Sequence, residues 1–275
     1  EVIVLILGIA LAGGALFGLG DREVRVFERA AAQDIASRLQ GEHKTVQVNV
    51  RTGGLESAWG DLPSATISAR DFSLESLPLY TEPDRSQAGK LGKLNLDLRE
   101  FSLRGLKIES LTATIPDCRY DFALAMRSRQ IRLSRSGTGQ GEVRIRQEDL
   151  ANYIVKKFRD VKRCTVKAEY GVVWVEGYGE FLLAKTDFTV VATIAIEDGT
   201  KLVLTKPKIF FDWVRAEPAA ADALLKTLNP IVDLKKDLGL ADAIIVDRVD
   251  CRNGRLVASG KTKIPVQPTD NEDQR

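Results

Sequence analysis

The sequence predicts an α+β protein that is mostly β, with a mainly antiparallel sheet, a few amphipathic helices and an N-terminal membrane helix. Three observations predict this class. Apolar residues alternate with polar ones along several stretches, turn-forming residues separate these stretches, and a long uncharged run opens the chain. Alternation with a period of two gives a strand one apolar and one polar face, which is typical of antiparallel sheets that are covered on one side.

The alternating stretches predict the strands. Leucines occupy every second position over 94–98, and the apolar positions then shift by one residue to Phe101. Because side chains along a strand repeat every two residues, this shift predicts a β-bulge or a bend near Arg99 or Glu100. Further strands are predicted over 120–126, 131–133 and 188–196. Residues that tolerate positive φ predict tight hairpins at Gly171, Asp198-Gly199 and Asn253-Gly254.

Three segments have the apolar period of an amphipathic helix instead. The first has apolar residues at helical spacing from Val24 to Leu39, and the second is predicted over 147–159. The third begins at Pro218 and ends before Pro230. Proline is favoured in the first turn of a helix, whereas the residue before a proline is disfavoured in helical conformation.

The run from Val2 to Leu19 contains 18 residues without a charge, close to the ~20 that span a bilayer. We expect an uncleaved membrane anchor. A cleaved signal peptide is the alternative, because Gly18 and Gly20 suit a signal-peptidase site. Either interpretation makes the rest of the chain extracytoplasmic. The expected organisation is an anchor or signal segment over 1–20, an amphipathic helix and connection over 21–44, a β-rich domain over 45–265 and a disordered polar tail over 266–275.

Positive charge is concentrated in the middle of the chain. Segment 119–167 contains 13 Lys or Arg against 5 Asp or Glu, although the whole chain has a formal net charge of only +2. Such a segment suits nucleic acid, anionic lipid headgroups or an ordinary solvated face. Nucleic acid is disfavoured because the aromatic residues of this segment lie on apolar faces, where they pack inward instead of stacking on bases. Export also separates the protein from nucleic acid.

The sequence lacks the motifs of common catalytic centres. Its single histidine, His43, lies in a polar connection, and neither a G-x-S-x-G nor an HExxH motif occurs. Cys118, Cys164 and Cys251 are too far apart for zinc-site spacing. The sequence leaves two alternatives open for these cysteines: one disulfide with one free thiol, or three buried free thiols. We therefore expect no enzymatic activity, no catalytic residue, no metal site and no cofactor.

Six segments follow one another in a distinctive order: LGKLNLDLREFSLRGLKIESL, EVRIRQEDLANYIVKKF, VKAEYGVVWVEGYGEF, IAIEDGTKLVLTKPKI, ALLKTLNPIVDL and VDRVDCRNGRLVASGKTKIP. In this order they resemble the LmeA-like phospholipid-binding family of bacterial envelope proteins, over about 45–265. The most specific points are Leu228-Asn229-Pro230 and the hairpins at Asp198-Gly199 and Asn253-Gly254. The loop over 77–90 departs from the family pattern and is expected to alter the entrance to a binding groove.

The resemblance implies a fold similar to tubular lipid-binding domains, in which a long curved antiparallel sheet wraps around amphipathic helices and encloses an apolar groove. It implies phospholipid and the bacterial membrane as partners, with the chain anchored to the cytoplasmic membrane or, after signal cleavage, released into the periplasm. The residues expected to line the groove are Leu150, Ile154, Phe158, Leu224, Leu225 and Leu228. Those expected to face lipid headgroups or the membrane surface are Lys156, Lys157 and Arg159.

The alternative function is an envelope scaffold or interaction domain whose filled core binds no lipid. It shares every periodicity described above, because an apolar stripe indicates burial and does not indicate what lies opposite it. The identity of the lipid, a protein partner and a dimer are all left open by the sequence.

Overall fold

The computed structural model describes residues 20–53, 57, 59–75, 79–128, 130–181, 184–240 and 242–266. The predicted anchor before Gly20 and the predicted tail beyond Val266 lie outside these residues. No helix within them is long and apolar enough to cross a membrane. The helices of the described residues are α1 (Gly20–Arg38), α2 (Phe122–Ser128), α3 (Gln147–Lys157) and α4 (Pro218–Leu228). Helices α1, α3 and α4 confirm the three predicted helices.

The described residues form two sheets, so the protein is mostly β as predicted. The strands are β1 (Thr45–Arg51), β2 (Asp61–Leu74), β3 (Gly89–Leu103), β4 (Leu106–Tyr120), β5 (Leu133–Arg135), β6 (Gly139–Arg146), β7 (Val161–Glu169), β8 (Val172–Phe181), β9 (Ala184–Glu197), β10 (Lys201–Phe211), β11 (Val214–Arg215), β12 (Val232–Asp233), β13 (Ile244–Arg252) and β14 (Arg255–Thr262). The eight-stranded sheet has the order β1-β2-β3-β4-β6-β14-β13, with β5 beside β4. The six-stranded sheet has the order β11-β10-β9-β8-β7, with β12 beside β10.

The prediction of one long sheet is wrong, because the strands form two sheets. The prediction that pairing is mainly antiparallel is confirmed: β2 pairs with β3 in parallel, and the other strand pairs among the described residues are antiparallel. Parallel pairing requires a crossover of a dozen or more residues. The long connection between Leu74 and Gly89 meets this requirement. Sequence periodicity reports the faces of a strand and not its direction, so it did not reveal this pairing.

The long strands of the first sheet bend together at two places. At the first, the pairing passes over Asp71 of β2 and Glu100 of β3, which both have positive φ. At the second, it passes over Gly92 of β3 and Asp117 of β4, and Asp117 again has positive φ. Irregularities of this kind bend a strand and increase its twist. The first bend confirms the irregularity predicted near Arg99 or Glu100.

The hairpins at Gly171, Asp198-Gly199 and Asn253-Gly254 are confirmed, because positive φ occurs at each of these turns. The strand predicted over 120–126 is wrong, because α2 occupies this segment from Phe122 onward. The Asp121 carboxylate accepts a hydrogen bond from the backbone N–H of Leu124 at 3.0 Å and so caps the first turn. Alanine and leucine then favour helix over the apparent alternation.

An ion-pair network joins four strands at the first bend. The Arg146 guanidinium of β6 donates to the Glu100 carboxylate of β3 and also lies 3.3 Å from the Glu109 carboxylate of β4. Arg255 of β14 donates to Glu109 from Nε at 2.6 Å and from Nη2 at 2.9 Å. Hydrogen bonds from Arg146 and Arg255 lower the pKa of Glu100 and Glu109, respectively, below the ordinary carboxyl value.

We expect the network to make the protein acid-labile. The folded-state pKa values of Glu100 and Glu109 are lowered, so the stabilisation is complete above the unfolded carboxyl pKa of about 4.3 and is lost as pH falls through the folded values. Arg146→Gln should lower the free energy of unfolding at pH 7 by about 1–2 kcal/mol and flatten its dependence on pH below about 4.5. Urea unfolding at a series of pH values measures both effects. Arg163→Gln is the control because its ion pair with Asp187 is largely exposed. An unchanged acid profile for Arg146→Gln would contradict the prediction.

Candidate functional site

An apolar cavity of about 220 Å³ lies along the inner face of the eight-stranded sheet. Its wall is formed by β1 to β4, β6, β13 and β14, by one face of α1, and by residues near β12 together with the chain between β12 and β13. Most of the described residues on this wall are aliphatic, and the ionisable ones are Asp34, Arg38, Arg132, Glu142 and Lys263. A wall of this composition suits an apolar ligand, with a few polar groups to orient it.

Two rows of cross-strand neighbours form the wall on the sheet side. The first row runs across β2, β3, β4, β6 and β14 through Ile67, Leu96, Ala113, Gly141 and Gly260. The second row runs across the same strands through Ala69, Leu98, Leu111, Val143 and Ala258. The first row ends in three small residues, and at Gly260 a side chain is excluded because a Cβ would lie only 2.1 Å from the carbonyl oxygen of Ile245.

Several of these wall residues are only half buried. Leu96, Leu98, Leu111 and Val143 are of intermediate exposure although they line the cavity. Side chains in a filled core pack at nearly crystalline density and leave few voids. The inner face of this sheet is therefore hollow along its centre.

Helix α1 covers the cavity from the other side. Ala31, Ile35 and Leu39 contribute its apolar lining, and Asp34 and Arg38 contribute charges on the same wall. The side chain of Arg38 pairs with the Asp34 carboxylate at 3.1 Å. The C-terminal half of the apolar stripe that predicted this helix thus lines the cavity.

The buried apolar residues form two clusters. The larger surrounds α3 and the six-stranded sheet, and it includes Ile154, Val173 and Phe188. The smaller lies near one end of the eight-stranded sheet and includes Leu94 and Ile115. Members of both clusters line the cavity. The cavity therefore extends alongside a packed core, which supplies the rigidity of the fold.

A second, polar pocket of about 270 Å³ adjoins the apolar cavity. The two spaces share the wall residues Arg38, Leu79, Ile131, Arg132 and Leu133. The polar pocket also includes Tyr80, Glu82 and Arg85. Leu79, Tyr80, Glu82 and Arg85, which belong to the loop predicted to alter the groove entrance, thus contribute to the surroundings of the cavity.

The structure places the six predicted groove residues in the larger cluster. Leu150, Ile154, Leu224 and Leu228 are 1–4% exposed, and Phe158 and Leu225 pack against them half buried. None of the six is among the described residues that line the cavity. Helix α3 packs against strands of both sheets, so its apolar face fills the junction between them. Contact of these six residues with an acyl chain stays a prediction.

The three predicted headgroup residues differ in their surroundings. Lys156 and Arg159 are exposed, as a surface role requires. Lys157 is half buried, and its ammonium donates to the carbonyl oxygens of Pro230 at 2.7 Å and Ile231 at 3.1 Å. The same group lies 2.5 Å from the Asp237 carboxylate. Lys157 therefore ties α3 to the segment after α4.

All three cysteines are free thiols, which decides between the alternatives left open by the sequence. Burial raises the pKa of Cys251 to about 11 and that of Cys164 to about 12, and it also raises the pKa of Cys118. A thiol with a raised pKa is a poor nucleophile at neutral pH. These cysteines contribute to packing.

The cavity wall was missed because its residues come from distant parts of the chain. The alternation over 94–98 placed Leu96 and Leu98 on one face of a strand, but it contained no information on what lies opposite that face. The polar pocket joins Arg38, Arg85 and Arg132 through the tertiary fold. Two signals in the sequence touched this pocket: the concentration of positive charge over 119–167 and the loop over 77–90 that was expected to alter the groove entrance.

The fold and the cavity define a β-rich domain that encloses space for an apolar or amphiphilic ligand. The family model described as LmeA-like phospholipid-binding matches residues 87–261. This span exceeds half of the chain, and the protein belongs to that family. It covers β3 to β14 almost completely and leaves out α1, β1 and β2. No curated protein and no solved structure matches the chain.

Proposed function

We propose that the protein binds phospholipid and carries out no catalysis, with acyl chains held in the cavity between α1 and the eight-stranded sheet. The observation that carries this proposal is the aliphatic wall, with its half-buried leucines at Leu96, Leu98 and Leu111. Membership of a phospholipid-binding family supports it. The observed volume of about 220 Å³ exceeds the roughly 150 Å³ of an engineered apolar cavity that binds benzene.

The apolar wall provides enough energy for binding. Each methylene moved from water into an apolar site contributes ~0.8 kcal/mol, so ten methylenes contribute on the order of 8 kcal/mol before ordering costs. Without those costs, that gain corresponds to a dissociation constant in the micromolar range, and the ordering costs make binding weaker than this limit. A protein that shuttles lipid between membranes needs an affinity of this kind, because the lipid must also be released.

We further propose that the protein acts outside the cytoplasm at a bacterial membrane. The uncharged run from Val2 to Leu19 supports a membrane anchor, with a cleaved signal as the alternative. The exposed side chains of Lys156 and Arg159 support contact with an anionic surface, where each positive charge contributes ~1 kcal/mol at close range.

The test is to purify the protein separately from salt-washed membranes and from the soluble envelope fraction, and to analyse organic extracts of each by mass spectrometry. We expect the full chain in the membrane fraction, with phospholipid at about one molecule per protein. Absence of lipid from both preparations, and from protein reloaded with phospholipid vesicles, would refute the lipid-binding proposal. Recovery in the soluble fraction with an N-terminus near Asp21 would refute the anchor and leave lipid binding standing.

A further inference from the structure

The polar pocket beside the cavity contains three arginines. Arg38 approaches from α1, Arg85 from the loop between β2 and β3, and Arg132 from the residue before β5. Two carboxylates accompany them. Asp34 pairs with Arg38, and Glu82 pairs with Arg85. The group of five ionisable side chains therefore has one positive charge in excess.

Arg132 has the least satisfied side chain of the three. Its side chain is 23% exposed, and its ion-pair partner among the described residues is Glu82, with Nε 3.9 Å from the carboxylate. It makes no side-chain hydrogen bond within that part of the chain. A guanidinium has five N–H donors in a fixed planar arrangement that suits a phosphate or a carboxylate. A half-buried arginine with unused donors on the wall of a pocket is well placed to bind such an anion.

The backbone around Arg132 is held in place before any ligand binds. Glu82 donates its N–H to the Leu133 carbonyl at 2.7 Å, and Asp121 donates to the Arg132 carbonyl at 3.0 Å. Thr81 donates to the Pro265 carbonyl at 2.8 Å. These bonds fix the loop and β5 beside each other. A preorganised pocket loses less conformational entropy on binding than a mobile one.

The arrangement of the two spaces matches one class of ligand. The polar and apolar spaces share five wall residues and therefore lie side by side. A phospholipid joins acyl chains to a phosphodiester within one molecule. Arg38, Leu79, Tyr80, Glu82 and Arg85 all lie before residue 87, where the family match begins. The pocket is therefore built largely by the part of this chain that the family match leaves out.

We infer that Arg132, together with Arg38 and Arg85, binds the phosphate of a phospholipid headgroup whose acyl chains occupy the apolar cavity. This inference rests on the proposed function and names the specificity-determining group for it. The apolar wall supplies affinity for any acyl lipid. The arginines select phosphate-containing lipids over neutral lipids with the same acyl chains, because a phosphate accepts hydrogen bonds from the free guanidinium donors.

The test compares binding of dioleoyl phosphatidylglycerol and dioleoylglycerol, two lipids with the same acyl chains that differ in the phosphate-containing headgroup. Arg132→Gln should weaken phosphatidylglycerol binding roughly tenfold to a hundredfold, the range expected for losing hydrogen bonds to a charged group. Binding of dioleoylglycerol should change less than threefold. Arg38→Gln should shift the same ratio in the same direction. Arg99→Gln is the matched control, because Arg99 is an exposed arginine on β3 that pairs with Asp97 outside both spaces.

A purely structural role for Arg132 predicts another pattern. Loss of the Glu82 pair would then weaken binding of both lipids equally, or of neither, and either result would overturn the inference. If the parent protein binds neither lipid, the proposed function itself fails. Thermal unfolding of each variant identifies misfolding. If Arg132→Gln does not fold, Arg38→Gln is used to compare the affinity for phosphatidylglycerol with that for dioleoylglycerol.

Discussion

Leu98→Trp is expected to displace lipid from the cavity while leaving the protein folded. Leu98 is half buried on the cavity wall, between Ala69 and Leu111 in the second cross-strand row. The new ring would occupy space that an acyl chain fills. Displacing about four methylenes costs ~3 kcal/mol, so lipid affinity should fall about a hundredfold. The melting temperature of lipid-free protein should change by only a few degrees.

Ile154→Trp is the matched control, and the opposite result is expected for it. Ile154 is 2% exposed in the packed cluster around α3. Enlarging a side chain in a well-packed core costs typically 1–3 kcal/mol. Ile154→Trp should therefore lower the free energy of unfolding. The molecules of this variant that remain folded should still bind lipid. Urea unfolding and lipid extraction are measured on both variants. Strong destabilisation by Leu98→Trp with lipid still bound would show that the cavity is not the lipid site.

The contrast between the surroundings of Leu98 and those of Ile154 shows what the sequence could predict. Local signals were sufficient for the helix that carries Ile154, for the bend at Glu100 and for the hairpin at Asn253-Gly254, because each depends on a few consecutive residues. They also placed Leu98 on the inner face of its strand. They could not show that Leu98 faces space while Ile154 faces packed side chains, since an apolar position indicates burial and does not indicate what lies opposite it.

The remaining discrepancies have related causes. Pairing of β2 with β3 depends on how a long connection crosses the sheet, and no local period encodes the direction of a strand. Segment 120–126 alternates like a strand, but the cap provided by Asp121 and the helix propensity of the following residues decide its structure. The pocket formed by Arg38 and Arg132 joins residues far apart in sequence, so its discovery required the tertiary fold.

Removal of the ion pair between Lys157 and Asp237 is expected to have the second large effect, a loss of stability. It distinguishes a lysine that stabilises the fold from the exposed lysine beside it on the same helix. The side chains of Lys157 and Asp237 are 19% and 21% exposed. Removing one partner of a fully buried ion pair costs 3–5 kcal/mol, because the other charge is left unpaired. Partial exposure reduces that cost. We therefore expect Lys157→Met to lower the free energy of unfolding by about 2–3 kcal/mol.

Lys156→Gln is the natural control, since the adjacent side chain is exposed and should contribute less than about 0.5 kcal/mol to stability.

For vesicle binding the expected order is reversed: substitution of the exposed Lys156 and Arg159 should have a larger effect than substitution of Lys157. The double variant Lys156→Gln with Arg159→Gln should bind anionic vesicles more weakly than the parent, and the difference should disappear as salt shortens the Debye length below ~8 Å. Urea unfolding and vesicle sedimentation at low and high salt measure the two effects. If Lys157→Met leaves stability unchanged and weakens vesicle binding, Lys157 contacts headgroups as the sequence predicted, and its bonds to Pro230, Ile231 and Asp237 contribute little to the fold.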